Sequence, residues 1–336
     1  MAKDKSKGKA KGQGLRVGVD LGGTKILVAV VNADNKVCGE AKQATHAEEG
    51  QDAVIQRIVA TVREALDDAD AKLSAVETVG VGAPGATDIA TGMVHYAANL
   101  GWQDVPLAAR LRDKLGAPVF VDNDVNVGTL AEYLLGAGRG VQHMAAMFVG
   151  TGIGGGLIVN GQLYRGFRGA AGEIGHVAVV PDGPTCGCGR RGCLEAVASR
   201  TAIERDVQAA LDAGRLSVVR DLIAASKRRR LTSGIIAKAL EQRDPLMEEV
   251  IGRVQRFLAM GIANLVNILD PEMIVLGGGV VESLGQGFIE PVAAAARADF
   301  LAKKDAERVR IVPATLGDRA GAVGAALMAG LELTRR

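Results

Sequence analysis

A strand-like segment that breaks at a Gly/Thr turn and resumes as a second strand occurs twice in this chain. The first copy runs through apolar, β-branched residues 15–21, breaks at Gly22-Gly23-Thr24-Lys25 and resumes over 26–32. The second runs through 145–149, breaks at Gly150-Thr151-Gly152 and resumes over 156–159. The two turns lie about 130 residues apart in a chain of 336. A unit repeated at that separation predicts two related halves, in keeping with the roughly two domains the length suggests.

The segments around the two copies alternate in type. An Asp34-Asn35 turn before Val37 extends the first copy into a β-meander. Val54, Ile58, Val62 and Leu66 recur every fourth residue, which predicts a helix over 52–68. A strand over 76–81 ends in Gly82-Ala83-Pro84-Gly85, and a short helix covers 107–115. A strand over 119–121 stops at Asp122-Asn123-Asp124, before a helix over 126–135. Past the second copy, 201–243 reads as helical and polar, with Lys227-Arg228-Arg229-Arg230 as a solvated helix end. Residues 245–269 read as a long helix with Leu246, Val250, Val254, Phe257, Leu258, Leu265 and Leu269 inward. A buried strand over 274–276 precedes Gly277-Gly278-Gly279, 311–313 forms a last strand, and 321–331 an Ala-rich helix. Strands alternating with helices predict the α/β class.

Apolar residues make up 48 % of the chain, enough for a sizeable core. The 45 glycines gather in short turns rather than low-complexity tracts. No run of 18 apolar residues occurs, so no transmembrane helix and no membrane partner are expected. Residues 1–14 are Lys/Gly-rich without the apolar stretch of a signal peptide, and read as a disordered tail. That tail holds five Lys and one Asp against a net charge of +2 for the whole chain, so the remainder is near −2. Charge therefore gives little support to a nucleic-acid partner. Cys38 stands alone, whereas Cys186, Cys188 and Cys193 cluster. With no secretory signal, reduced thiols and a cytoplasmic location are expected.

Four constellations carry chemistry. In Asp20-Leu21-Gly22-Gly23-Thr24-Lys25, two glycines leave backbone N–H groups able to approach phosphate oxygens. Thr24 adds a hydroxyl, Lys25 a positive charge, and Asp20 a carboxylate able to hold Mg²⁺ or its water shell. The segment is neither a Walker A loop nor a Rossmann fingerprint, since no G-x-x-x-x-G-K-[ST] is present and a strand follows. A plain hairpin turn is the bland reading. The second turn, with Thr151 and Gly152, weighs against it, because two turns can grip one polyphosphate. Gly277, Gly278 and Gly279 follow a buried strand, where a flat base can lie on backbone or a helix can pack closely. Asp122-Asn123-Asp124 sits at a strand end, the usual place for α/β active sites. Phosphoryl transfer needs a carboxylate to orient or deprotonate the attacking hydroxyl. Asp122 and Asp124 compete for that role, and Asp122 is also a plausible helix cap. His176, Cys186, Cys188 and Cys193 make a Cys₃His set, the ligand count of a structural Zn²⁺ site. A disulfide across Cys-x-Cys would be strained and would leave one thiol over. Zinc would stiffen the loop ending at Glu195, with one His176 nitrogen on the metal and the other able to donate to a ligand.

Taken together, the 20–25 turn, Asn123-Asp124, Glu173-x-Gly-His176 and the Cys-x-Cys-Gly-x-x-Gly-Cys element resemble the ROK family of repressors, open-reading-frame proteins and sugar kinases, in the family's order. The likeness covers residues 15–333 and is strongest to the bacterial sugar kinases of that family. It implies an actin-like, ribonuclease H-like fold of two α/β domains with a cleft between them. A small domain would span 15–124 with the helix at 320–336 returning to it, and a large domain 125–319 would carry the zinc loop at 176–195. By the resemblance, Asp124 is the catalytic base. Asn99, Asn123, Asp124, Glu173, His176 and Glu195 bind sugar hydroxyls, with Gly85 close by. Asp20, Gly22, Gly23, Thr24, Lys25, Thr151, Gly152, Gly277, Gly278 and Gly279 bind the nucleotide, and His176, Cys186, Cys188 and Cys193 hold zinc.

The expected activity is ATP- and Mg²⁺-dependent phosphorylation of glucose at C6. N-acetylglucosamine, N-acetylmannosamine, mannose and fructose are the alternative hexoses, and polyphosphate the alternative donor. A homodimer or homotetramer is implied. ROK repressors carry an N-terminal DNA-reading domain of about 70–80 residues, whereas only 14 residues precede the first strand here. That weighs against a sugar-sensing regulator. An actin- or chaperone-like ATPase would have no use for the hydroxyl-binding carboxylates or the zinc loop.

Overall fold

A computed structural model describes residues 14–226 and 229–335. The Lys-rich tail, apart from Gly14, and two members of the basic run, Lys227 and Arg228, lie outside the described residues. Arg229 and Arg230 are exposed, as expected for a solvated end.

The chain divides into two compact units. The first comprises residues 1–139, 163–171 and 318–336, and the second 140–162 and 172–317. In the first, β1 (Leu15–Leu21), β2 (Lys25–Val31) and β3 (Val37–Ala44) form the meander. α1 (Gln51–Asp68), β4 (Val76–Ala83), α2 (Leu107–Leu115), β8 (Val119–Asn123) and α3 (Asp124–Leu134) follow. Between β4 and α2, β5 (Ala86–Asp88), β6 (Met93–Ala97) and β7 (Trp102–Val105) make a small antiparallel sheet with no counterpart in the sequence reading. The second unit holds β9 (Met144–Val149), β10 (Ile153–Val159) and the first residue of β11 (Gln162–Leu163). Helices α4 (Leu194–Ala198), α5 (Arg200–Asp212), α6 (Val219–Ala224), α7 (Ser233–Glu241) and α8 (Pro245–Leu269) come next. It ends with β12 (Met273–Gly277), α9 (Gly279–Leu284), α10 (Gln286–Ala298) and β13 (Arg310–Pro313), before α11 (Ala320–Thr334) closes the chain in the first unit.

The repeat read from two turns extends to whole sheets. One has the order β3-β2-β1-β4-β8 and the other β11-β10-β9-β12-β13. In both, the hairpin that flanks the Gly/Thr turn is antiparallel and the next two pairings are parallel. Parallel pairings need crossover helices, which is why the helical segments fall where they do.

Each sheet buries its own core. In the first unit α1 lays Val54, Ile55, Ile58 and Val62 over the sheet with Val17, Val19, Val79 and Val81. On the other face α11 approaches so closely that a Cβ on Gly18 would lie 1.8 Å from the Ala322 carbonyl oxygen, and one on Gly324 1.8 Å from that of Val127. Ala-rich α11 therefore packs backbone to backbone, and α3 is drawn into the same unit. In the second unit α8 starts at Pro245 after the Asp244 cap, whose carboxylate accepts from Met247 N at 2.9 Å. It buries Leu246, Val250, Val254, Leu258 and Leu265, as its spacing predicts. Leu269 is exposed instead, because the last turn, 267–270, has no core beneath it. Among the described residues, the helical segment 201–243 comprises α5, α6 and α7.

Candidate functional site

In the first unit β1 delivers Asp20 to its end and turns at Gly22, whose N–H donates to the Lys25 carbonyl at 2.9 Å. Buried Thr45, just past β3, clamps the turn: its hydroxyl donates to Gly22 O at 2.6 Å and its N–H to Thr24 O at 3.0 Å. Among the described residues the Gly23 and Thr24 amides have no backbone partner, so they remain available to an anion. Gly23 backs onto Asn99, and a Cβ there would lie 2.9 Å from that of Asn99. Lys25 pairs with exposed Asp318 at 3.0 Å, a partner that residue spacing does not reveal.

The end of β8 lies beside this turn. Asn123 caps α3, accepting from Val125 N at 2.9 Å and Asn126 N at 3.2 Å, while its amide nitrogen donates to Gly85 O at 3.2 Å. Asp122 is 2 % exposed. One of its oxygens accepts from Asn123 N at 2.7 Å and Asn126 Nδ2 at 3.0 Å, and the other from Arg165 Nε at 2.7 Å. Such a carboxylate is fully engaged inside the protein, which separates it from Asp124, the partly exposed first residue of α3. Gly321 presses on Asp20, where a Cβ would lie 2.7 Å from Cγ. Burial first, then the charge of Asp124, hold the Asp20 carboxyl up at about 7, against the pull of Lys25. Two acids so placed call for a cation or a proton, so the donor set suits Mg²⁺.

In the second unit the Gly150-Thr151-Gly152 turn is clamped from α4 and α5. Arg200 N donates to Gly150 O at 2.9 Å, the Thr201 hydroxyl to Thr151 O at 2.7 Å, and the Arg200 guanidinium to the Thr151 hydroxyl. Glu195 accepts from Ile153 N at 2.9 Å. Its carboxylate fills the space above Gly152, where a Cβ would lie 2.2 Å from Oε2. Among the described residues the Thr151 and Gly152 amides have no backbone partner either. Gly278, at φ +87°, lies against Val149, so a Cβ there would meet the Val149 backbone at 2.6 Å. Gly277 is pinned between Phe148 and Ala314. Close packing thus accounts for these two glycines, while Gly279 starts α9.

The sulfurs and imidazole converge. Ligand atoms of His176, Cys186, Cys188 and Cys193 all lie within 4.8 Å of one another. His176 Nδ1 is 3.6 Å from Cys186 Sγ, and Cys188 Sγ 3.7 Å from Cys193 Sγ. Tetrahedral Zn–S bonds of about 2.3 Å put ligands roughly 3.8 Å apart, so the set fits zinc. Burial pushes the Cys186 thiol up to about 12, while backbone hydrogen bonding from Arg190 brings Cys188 down to about 6. Crowded sulfurs of this kind ionise together only around a cation. His176 Nε2 faces the other way, 4.0 Å from the Glu173 carboxylate. Cys186 Sγ lies 3.5 Å from Glu195 Oε1, so the cluster, Glu195 and the second turn form one continuous structure.

Each unit thus gathers its own share of the expected residues. Asp20, Gly22, Gly23, Thr24, Lys25, Gly85, Asn99, Asn123 and Asp124 belong to the first, and Thr151, Gly152, Glu173, His176, Glu195, the three thiols and Gly277, Gly278 and Gly279 to the second. Thr45, Arg165, Arg200 and Asp318 escaped sequence reading. None sits in a motif, and their partners are 23, 43, 49 and 293 residues away.

The chain matches the ROK family over residues 16–331. It is 37 % identical to a glucokinase of Thermotoga maritima over 92 % of this chain and 95 % of that one, and 36 % identical to a glucokinase of Halalkalibacterium halodurans over 92 % of each. A ROK family glucokinase from Streptomyces griseus, solved in complex with glucose and AMPPNP, superposes with a TM-score of 0.82 at 34 % identity, covering 95 % of this chain and all of that one. The fold is the actin-like one of two α/β domains, and the chain belongs to the ROK family.

Proposed function

We propose that this protein is an ATP-dependent glucokinase that transfers the γ-phosphoryl group of ATP to the C6 hydroxyl of glucose. The observation that carries the reading is the division of labour at the end of β8. Asp122 is consumed by internal hydrogen bonds, and Asp124 is presented at the start of α3, near Asp20 and the first Gly/Thr turn.

Asp124 accepts the proton of the attacking hydroxyl as O6 bonds to the γ-phosphorus and ADP departs. Asn123, held by its cap bonds and by Gly85 O, orients the sugar together with Asn99, Glu173, His176 and Glu195. The open amides of the two turns bind phosphate oxygens, with Thr24, Lys25, Thr151 and Gly152 beside them and adenine near Gly277, Gly278 and Gly279. Asp20 would hold Mg²⁺ or its water shell, and the ion would neutralise charge on the phosphates. His176, Cys186, Cys188 and Cys193 would hold zinc, which stiffens the loop leading to Glu195.

A cytoplasmic location follows from the need for ATP and reduced thiols. Among the described residues no helix is long and apolar enough to cross a membrane. A homodimer or homotetramer fits the family, and light scattering checks it. The decisive experiment is a coupled assay with glucose, mannose, fructose, N-acetylglucosamine and N-acetylmannosamine, using ATP and then polyphosphate. Glucose with ATP is expected to give the highest kcat/KM. Turnover on no hexose would refute the enzyme reading, and a better substrate among the others would replace glucose.

A further inference from the structure

Arg165 belongs to none of the constellations above, yet it makes the most buried ion pair to the strand that delivers Asp124. Its Nε donates to Asp122 Oδ2 at 2.7 Å, with the Asp122 side chain 3 % exposed and that of Arg165 19 %. Its NH2 lies 3.5 Å from Glu332 of α11, also 19 % exposed. A buried carboxylate is costly unless paired, and removing one partner of such a pair leaves an uncompensated charge behind. The position of that charge matters here. Asp122 also accepts from the Asn123 amide and from Asn126 Nδ2, so its carboxylate ties the end of β8 to the first turn of α3. Asn123 and Asp124 lie between those anchor points.

Arg165 reaches Asp122 from an unusual place in the chain. Residues 163–171 belong to the first unit, although the segments on both sides belong to the second. The excursion is closed by Ala171 N donating to Arg165 O at 2.9 Å, and two residues later the chain reaches Glu173. Arg165 is therefore the charged contact that fastens this excursion to the strand end. Leu163 ahead of it is half-buried, Tyr164 is exposed, and Phe167 within the loop is fully exposed. Apolar packing from Tyr164 and Phe167 does not supply the fastening.

We propose that Arg165 is a positioning residue: through Asp122 it fixes the end of β8 and the first turn of α3, and so sets the placement of Asn123 and Asp124. Asp124 has its catalytic role only on the kinase reading above, whereas the clasp is a property of the first unit alone. The charged groups paired with it are Asp122 on β8 and Glu332 on α11, and Glu332 also pairs with Arg335 at 2.9 Å.

The test compares Arg165→Met and Arg165→Lys with the parent protein by hydrogen exchange and steady-state kinetics. Arg165→Met is expected to speed amide exchange at residues 123–126 by at least about tenfold while leaving 150–153 unchanged. In kinetics, kcat falls about tenfold more than KM for glucose rises, since displacement of Asp124 harms the transition state more than the bound sugar. Arg165→Lys keeps a charge at Asp122 and recovers most of both effects. Unchanged exchange at 123–126 in Arg165→Met overturns the proposal whatever the turnover. So does a rise in KM with kcat intact, which would make Arg165 only an anchor of the loop. Altered exchange together with no hexose turnover by the parent protein would instead sink the kinase reading and leave the clasp standing.

Discussion

The two Gly/Thr turns grew from the same design and are braced by different chemistry. Both join an antiparallel hairpin at the same place in sheets of the same order, and both leave two amides open. The turn at residues 22–24 is clamped by a single neutral side chain, Thr45, and stands among carboxylates, Asp20 and Asp124. The turn at 150–152 is clamped by Glu195 and Arg200, and Glu195 leans on a Cys₃His cluster. One half therefore gathers two carboxyl groups beside its turn. The other spends its charges internally and buys rigidity. A duplicated unit can diverge in this way because the sheet fixes the turn's position, while the residues that brace it come from other elements.

Substitution at Asp124 tests the chemical half and should have the largest effect. Asp124→Asn is expected to lower kcat by about 10³-fold while glucose binding, followed by calorimetry, changes little. Near-normal turnover would remove Asp124 from the base role and dissolve the contrast between the halves.

The rigid half is tested through its metal. Native protein should contain about one zinc per chain by elemental analysis. Cys193→Ser replaces a fully buried sulfur. It should destabilise the second unit by several kcal/mol, with faster exchange over 176–195 and at Ile153. Exchange in the meander at 15–44 should stay as it was. A folded, metal-free parent protein would refute the Cys₃His assignment.

Adding one methyl group to each turn sharpens the comparison. A Cβ on Gly152 would lie 2.2 Å from Glu195 Oε2, whereas one on Gly22 would have its nearest neighbour, Lys25 O, at 3.2 Å. Gly152→Ala should therefore raise KM for ATP roughly tenfold and Gly22→Ala only two- to threefold, each relative to the parent protein. Equal effects would mean that Glu195 yields as easily as a turn carbonyl.

The smallest expected effect is on stability with pH. The Asp20 carboxyl titrates at about 7 in the folded protein, above its ordinary 3.8. Folding thus favours the protonated form. That contribution is fully present below pH 3.8 and is lost as pH rises through about 7. Without metal or nucleotide, Asp20→Asn should be closest to the parent protein in stability below pH 3.8 and should gain on it as pH rises to about 7. Mg²⁺ with nucleotide should narrow the gap. A difference that does not change with pH would show that Asp20 is ionised throughout.

Much of this could be read from residue order. The strands around each turn, the helix over 52–68 and the α8 span follow from apolar spacing, which is local. The small sheet at 86–105 was not legible, because its short strands mix exposed and buried residues and lack clean alternation. The helices α9 and α10 were hidden by Gly285 and by Pro291 within α10. Among site residues, those in compact motifs were found. The thiols and His176 sit within eighteen positions and advertise their ligand chemistry.

By itself, then, the sequence determined the α/β class, the duplicated turn and the Cys₃His set, since each depends on residue type at short spacing. What distinguishes Asp122 from Asp124 is visible only in the fold. Both are carboxylates at a strand end, and no local property separates them. Arg165, 43 residues further on, and Asn126 both donate to Asp122, and only tertiary contact brings that cation to that acid. The second turn tells the same story: its glycines were visible in the sequence, but the carboxylate that fills the space above Gly152 arrives from Glu195, beyond the whole metal loop.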